Sequence, residues 1–456
     1  MAGIGFSLQR ILKHDSLARI AAAYTTAGII SGGPWIISII GILILGILVA
    51  VIPRYHEAAI QFQISITYLV AFSLIASGFA QNSFSRYVAD QLFLNHISAV
   101  IPNLNGMMLI VTVISGVLSY LAVLFLFPEQ SILYRFFFMG GFVVLSNIWV
   151  ITNLLTGLKD YTIILKAFFI AYSIIVIAAY LMRGLGLDAF MFSFLLGQVI
   201  LLVILLFALY RQYPTNSAIS FHFLKKGSMY KTLMLSGFLF NFAIWADKFV
   251  FWFYPDTSYH VLGPLRASQI YDVAFFLAYL ALAPGMAVFL FLMETGFAEY
   301  YTRFNESIRN GKTLAYIQVM RDQMTANAFN VIYSIIKVQT ITIVIVFQLG
   351  ERMLKILNIS TIYKNLLFID VIGTSLQVVF LSILNLLYYM DRREDTLNLT
   401  IMFFVLNLTL SMLSIRFGPF YYGFGFTFSL IITCTYGMYL LNAEFTELEY
   451  KTIMLR

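Results

Sequence analysis

The chain has 456 residues, 61% hydrophobic and 11% charged, with a formal net charge of +7. Soluble globular chains run at about 25% charged, so this one cannot cover a soluble domain with polar surface, and lipid is its solvent over most of its area. One cysteine, Cys434, excludes a disulfide scaffold and a thiolate metal cluster.

Residues 1–21 read as a basic, amphipathic start. The apolar run from about residue 20 to residue 52 is too long for the h-region of a signal peptide, and no small-x-small cleavage site ends it. It reads as the first membrane span. Inside it stands SGGPW (31–35), where Gly32, Gly33 and Pro34 predict a bend. Irregular backbone at membrane depth is tolerated only where it is buried in protein or lines a cavity. The bend reads either as a packing kink or as a hinge for alternating access.

A bilayer core needs roughly 20 apolar residues per helix. Twelve candidate spans follow: 22–51, 62–88, 104–128, 134–157, 162–182, 187–210, 231–254, 267–292, 329–350, 366–390, 397–416 and 420–441. Only MRGLGLD (182–188) divides the fifth from the sixth, and only RFGP (416–419) the eleventh from the twelfth. Both separators carry turn punctuation, and eleven spans is the alternative count.

Lys and Arg set the orientation. With twelve spans and a cytoplasmic N-terminus, eighteen of the 28 fall on the cytoplasmic side and eight outside, and Lys248 and Lys337 lie within spans. Both termini are therefore expected in the cytoplasm. The linker 211–230 divides the spans six and six, giving an N-lobe (22–210) and a C-lobe (231–441). Such halves recur in transporters. Segment 295–328, rich in Glu, Arg, Lys and Gln, reads as a surface helix or an inward extension of the eighth span. Residues 442–456 read as a cytoplasmic tail. GFAQNSFSRY (78–87) and GFAEYYTRF (296–304) echo each other at equivalent places in the two halves.

No catalytic or cofactor motif is found. NGKT (310–313) ends like a P-loop, but Glu306 occupies the place of the required glycine. The five His are scattered, with no metal-ligand spacing. Nothing points to nucleic acid. Charges inside spans are the informative residues, because each costs about 2.5–3.5 kcal/mol at a helix centre. Asp247 and Lys248 interrupt the seventh span, Asp272 lies in the eighth, Lys337 in the ninth and Asp370 in the tenth. Arg86 and Glu294 sit at inner span ends. These seven are the candidate substrate-pathway residues. The plainer alternative makes Asp247–Lys248 a local pair and leaves Asp272 and Asp370 wet near the interface. Most of the 44 Phe and 28 Tyr are lipid-facing bulk; Tyr24, Trp35, Trp149, Trp245 and Tyr271 lie near polar span residues.

MAGIGFSLQRILKHDSL (1–17) followed by AYTTAGIISGGPWIISII (23–40) resembles the opening of the PelG family of Pel exopolysaccharide transporters. RYVADQLF (86–93), WADKFVFW (245–252) and LMETGFAEYYTRF (292–304) are similar to that family as well. The resemblance implies an all-α integral membrane protein of the MOP flippase superfamily, MATE-like, with two six-helix lobes around a central cavity. It implies a bacterial inner-membrane location and a synthase–transport complex. The partners would be a cytoplasmic glycosyltransferase, a cyclic-di-GMP-sensing membrane protein and a TPR-containing membrane protein. It transfers no functional residue position by position.

The expected function is transport of a hexosamine-rich exopolysaccharide or its lipid-linked precursor. The alternatives are an ion-coupled small-molecule antiporter of the same fold and a membrane scaffold anchoring a glycosyltransferase. No cofactor or metal is expected, and no enzymatic activity.

Overall fold

The computed structural model describes residues 28, 37–41, 44, 56–158, 161–215, 217–356 and 359–453. Among them, eleven helical stretches are long and apolar enough to cross a membrane. The first expected span, with Gly32, Gly33 and Pro34, lies outside the described residues apart from Gly28, Ile37–Gly41 and Ile44. The chain forms two compact units, divided between Gln269 and Ile270.

The unit that ends at Gln269 contains α1 (His56–Phe93), α2 (Val100–Leu126), α3 (Ile132–Gly157), α4 (Tyr161–Leu181), α5 (Leu187–Gln212) and α6 (Lys231–Phe253). A short antiparallel hairpin follows, β1 (Tyr259–Leu262) with β2 (Leu265–Ala267). At 38 residues, α1 is about 57 Å long. It packs against both α3 and α6. Large aromatics fill the spaces: Phe62 sits against Phe190 and Phe194 of α5, and the buried Tyr134 hydroxyl is 2.9 Å from Ser65 Oγ. Ser131 caps α3 by accepting from the Tyr134 N–H at 3.0 Å. The expected turn between the fifth and sixth spans is present: a 3-10 turn (Arg183–Leu185) leads into Gly186, whose φ of +78° opens α5.

The other unit contains α7 (Gln269–Leu280), α8 (Leu282–Leu292), α9 (Ala298–Arg309), α10 (Leu314–Ile356), α11 (Lys364–Tyr389), α12 (Arg393–Phe417) and α13 (Phe424–Ile453). A π-helical turn, Met293–Phe297, joins α8 to α9. Segment 295–328 thus divides in two. Residues 298–309 continue the path of the eighth span as α9, and residues 314–328 are the first part of the 43-residue α10. The expected break between the eleventh and twelfth spans falls at Gly418, where φ is +98°. The core helix is α11, the most buried of the spans; α10 and α2 are the least buried.

Gly28 and Gly41 each meet a helix of their own unit. A Cβ built on Gly28 would lie 3.0 Å from Cβ of Ala287 in α8, and one built on Gly41 would lie 2.8 Å from the Tyr172 ring in α4.

Candidate functional site

A run of uncharged polar residues follows α1. Ser73, Ser77, Gln81 and Ser85 recur every fourth residue, a spacing that puts them on one face of a helix. Hydrogen bonds knit this row to two neighbouring helices. Trp149 Nε1 of α3 donates to Ser73 Oγ at 3.0 Å. Gln81 Nε2 donates to Ser77 Oγ at 3.0 Å. Asn153 of α3 donates to Ser85 Oγ at 3.0 Å and to Asn82 Oδ1 at 3.4 Å. From α6, Asn241 donates to the Leu74 carbonyl at 3.0 Å and to Gln81 Oε1 at 3.3 Å.

Two glycines make the α6 contact possible. A Cβ on Gly78 would lie 2.8 Å from the Gly237 carbonyl oxygen, and a Cβ on Gly237 would lie 2.4 Å from that of Gly78. Small residues at a membrane helix crossing let backbones touch, and polar side chains then hydrogen-bond across. Asn241 is one turn from Gly237 and reaches the carbonyl one turn before Gly78. Gln81, Asn82, Ser85 and Asn153 are only half-buried. Phe72 of α1 is exposed and stacks on Phe249 of α6 at 5.1 Å. The seam is thus partly open, neutral and bordered by aromatic rings.

In the same unit Asp247 and Lys248 are both buried and pair with each other. Lys248 Nζ lies 3.1 Å from Oδ1 and 3.0 Å from Oδ2 of Asp247, and it donates to the Ile244 carbonyl at 2.8 Å. The two charges therefore offset each other inside the helix pack. Arg86, half-buried near the end of α1, pairs with Asp90 at 3.2 Å.

The remaining candidates belong to the other unit. Thr374 of α11 donates to the Ala278 carbonyl of α7 at 3.1 Å, and further along the chain Tyr389 meets Phe297 and Tyr301. Residue numbers rise together along these contacts, so the two helical runs are parallel. Asp272 lies six residues before Ala278 and Asp370 four before Thr374, about 9 Å and 6 Å along their axes. Both carboxylates therefore stand toward the same end of the unit. Asp272 is half-buried. Asp370 is fully buried, beside Gly423, where a Cβ would lie 2.5 Å from Asp370 Oδ1. Glu294 is half-buried in the π-helical turn, toward the opposite end. Lys337 is exposed on α10, its Nζ 4.3 Å from the centre of the Tyr333 ring. Among the described residues no three His, Cys, Asp or Glu side chains converge as a metal site would need.

Sequence reading by charge passes over the α1 seam, because none of its members is ionisable. The detectable signal was the four-residue repeat of Ser and Gln in an otherwise apolar span. It likewise passes over Gln339 and Ser375, whose side chains bond at 3.3 Å between α10 and α11. Gly285 makes room for the Gln339 amide.

The family of PelG, described as "Putative exopolysaccharide Exporter (EPS-E)", matches residues 1–453. The chain belongs to the PelG family. Solved structures share the fold of this PelG-family chain. An outward-facing multidrug resistance MATE family transporter of the MOP superfamily superposes with a TM-score of 0.61 at 14% identity, covering 97% of this chain and 98% of its own. A MOP superfamily transporter from Pyrococcus furiosus, described by the reverse polarity of its binding pocket, gives 0.63 at 12% identity over 98% and 97%. An inward-facing MATE family transporter gives 0.59 at 12% identity over 96% and 98%. No curated protein matches this chain. The PelG-family chain is thus a mostly helical, multi-pass membrane protein with a MATE-like fold. Its family points to a transporter role.

Proposed function

We propose that this PelG-family chain carries a Pel-like, hexosamine-rich exopolysaccharide, or its lipid-linked precursor, from the cytoplasm across the bacterial inner membrane by alternating access. The observation that carries this reading is the α1 seam. Its half-buried groups, Gln81, Asn82, Ser85 and Asn153, are amides and a hydroxyl, which suit the hydroxyl and acetamido groups of a sugar. Phe72 and Phe249 border it with aromatic faces. The buried acid of α6, Asp247, is paired with Lys248, and no member of the seam is ionisable, so the seam itself presents no net charge to attract a cation.

Both termini are cytoplasmic in this proposal, following the distribution of Lys and Arg. The transporter works beside a cytoplasmic glycosyltransferase and the cyclic-di-GMP-sensing and TPR-containing membrane proteins implied by the family resemblance. The test is loss of the chain in its native cell. Polymer or precursor should accumulate inside; unchanged secretion would overturn the proposal.

One observation favours a second reading, an ion-coupled antiporter: Asp272 and Asp370 stand toward the same end of one unit. Reconstituted vesicles distinguish the two. Cation efflux driven by a proton or sodium gradient and abolished by Asp272→Asn would support the antiporter, whereas polymer movement that needs no gradient would support the exporter.

A further inference from the structure

Between Asp322 and Glu351 of α10 the one charged residue is Lys337. It stands on the exposed face of the least buried span of its unit. A lysine facing hydrocarbon is costly unless it snorkels toward an interface and meets an anion there. Helical side chains lean toward the N-terminus, and the Lys337 ammonium follows that lean, reaching back one turn to the Tyr333 ring. Among the described residues no carboxylate pairs with it.

Tyr333 is also a wall of a groove of about 330 Å³ between α10 and α13, completed by Phe329, Asn330, Ile336 and Met438. Asn330 is exposed there, and its Oδ1 accepts from Ser334 at 3.4 Å, which leaves its NH2 donor turned elsewhere. Tyrosine is enriched where a span leaves the hydrocarbon, and the expected ninth span begins at residue 329. In the other direction along α10, Ile341, Val344 and Ile345 follow Lys337 at four, seven and eight residues. That spacing keeps them on the face of Lys337, and all three are exposed. A cation is therefore flanked by a partly polar groove on one side and a bare apolar stripe on the other.

We propose that this face binds an anionic phospholipid of the surrounding leaflet. Its phosphate meets Lys337, its headgroup lies over the groove toward Asn330, and its acyl chains run along Ile341, Val344 and Ile345. The lone cation selects an anionic headgroup over a zwitterionic one. The apolar stripe selects a lipid over free phosphate, which would leave it uncovered. The site is independent of the cargo.

The test uses the full-length protein in neutral detergent, with phosphatidylglycerol or phosphatidylcholine added and retained lipid read by native mass spectrometry. Phosphatidylglycerol should be retained in preference, and Lys337→Gln should lower its occupancy roughly fivefold, the share of one lysine in anionic-lipid attraction. Lys337→Arg should retain it. Lys355→Gln, at the far end of α10 where Lys355 pairs with Glu351, should change nothing. Equal retention of the two lipids, or unchanged retention by Lys337→Gln, overturns the proposal; so does displacement of the lipid by millimolar inorganic phosphate. If Lys337→Gln does not accumulate, a photoreactive phosphatidylglycerol on the wild-type protein replaces it. Labelling within residues 326–345 supports the site, and labelling confined elsewhere overturns it.

Discussion

Gly78 of α1 and Gly237 of α6 meet backbone to backbone, so closely that a methyl group on either would lie within 3.0 Å of the other's carbonyl oxygen. Neither carbonyl can swing away without breaking its own helix. Gly237→Ala should therefore force the two helices apart, costing about 1–3 kcal/mol, and it should weaken the Asn241–Leu74 bond one turn away. The measurement is the thermal unfolding midpoint of the purified protein. A midpoint equal to the wild type would mean that this crossing is looser than the geometry indicates.

Lys248→Met leaves Asp247 as a buried carboxylate without its lysine. Breaking a buried pair by removing one partner costs about 3–5 kcal/mol, whereas replacing both partners by apolar groups of similar size is often close to neutral. Expression and unfolding should accordingly rank the wild type and Asp247→Leu/Lys248→Met together, well above Lys248→Met alone. A double variant as impaired as the single one would show that the charges have a role beyond each other.

Asn82 and Asn153 bond to each other, and Asn153 also bonds to Ser85, on the half-buried part of the α1 seam. Losing one such neutral bond costs about 1 kcal/mol of stability. Asn82→Leu should therefore unfold within a few degrees of the wild type while export of polymer falls at least severalfold. Secreted polymer, normalised to the amount of protein in the membrane, reads this directly. Full export by a normally folded variant would remove the seam from the pathway.

Gly28 packs on Ala287 and Gly41 packs on Tyr172. The first pair belongs to the unit that includes Ile270–Arg456 and the second to the unit Pro34–Gln269. Gly32, Gly33 and Pro34 stand between these two glycines in the sequence. Pro34→Ala should lower export while leaving the amount of folded protein in the membrane unchanged, if the stretch acts as a hinge. Full transport with normal folding would leave it a packing role alone.

Much of the architecture was legible in the sequence, because apolar runs of about 20 residues have few alternatives to membrane helices. Gly186 and Gly418 marked the two least distinct turns, since a φ near +80° to +100° is open to glycine at little cost. Segment 295–328 was less legible. Its polar composition is compatible with a surface helix or an extension, and only the tertiary structure divides it between the short α9 and the long α10, which pack together. The charged candidates were named from their cost in lipid, yet composition says nothing of their neighbours. Asp247 and Lys248 are adjacent in sequence, but their burial and mutual bond depend on how α6 packs. Asp370 is buried because Gly423 leaves room beside it.

By itself, then, the sequence determined the solvent, the approximate positions of the spans, the family resemblance and the residues whose charge is out of place in a membrane. These follow from hydrophobic length and from the free energy of moving a charge out of water, which are local properties of a segment. Tertiary structure alone decided which polar groups satisfy one another and which remain open: Asn241 on Leu74, Trp149 on Ser73, and Lys337 beside Tyr333 on an exposed face. Hydrogen-bond partners far apart in the chain are chosen by helix crossings, and the crossing of α1 with α6 turns on the missing side chains of Gly78 and Gly237.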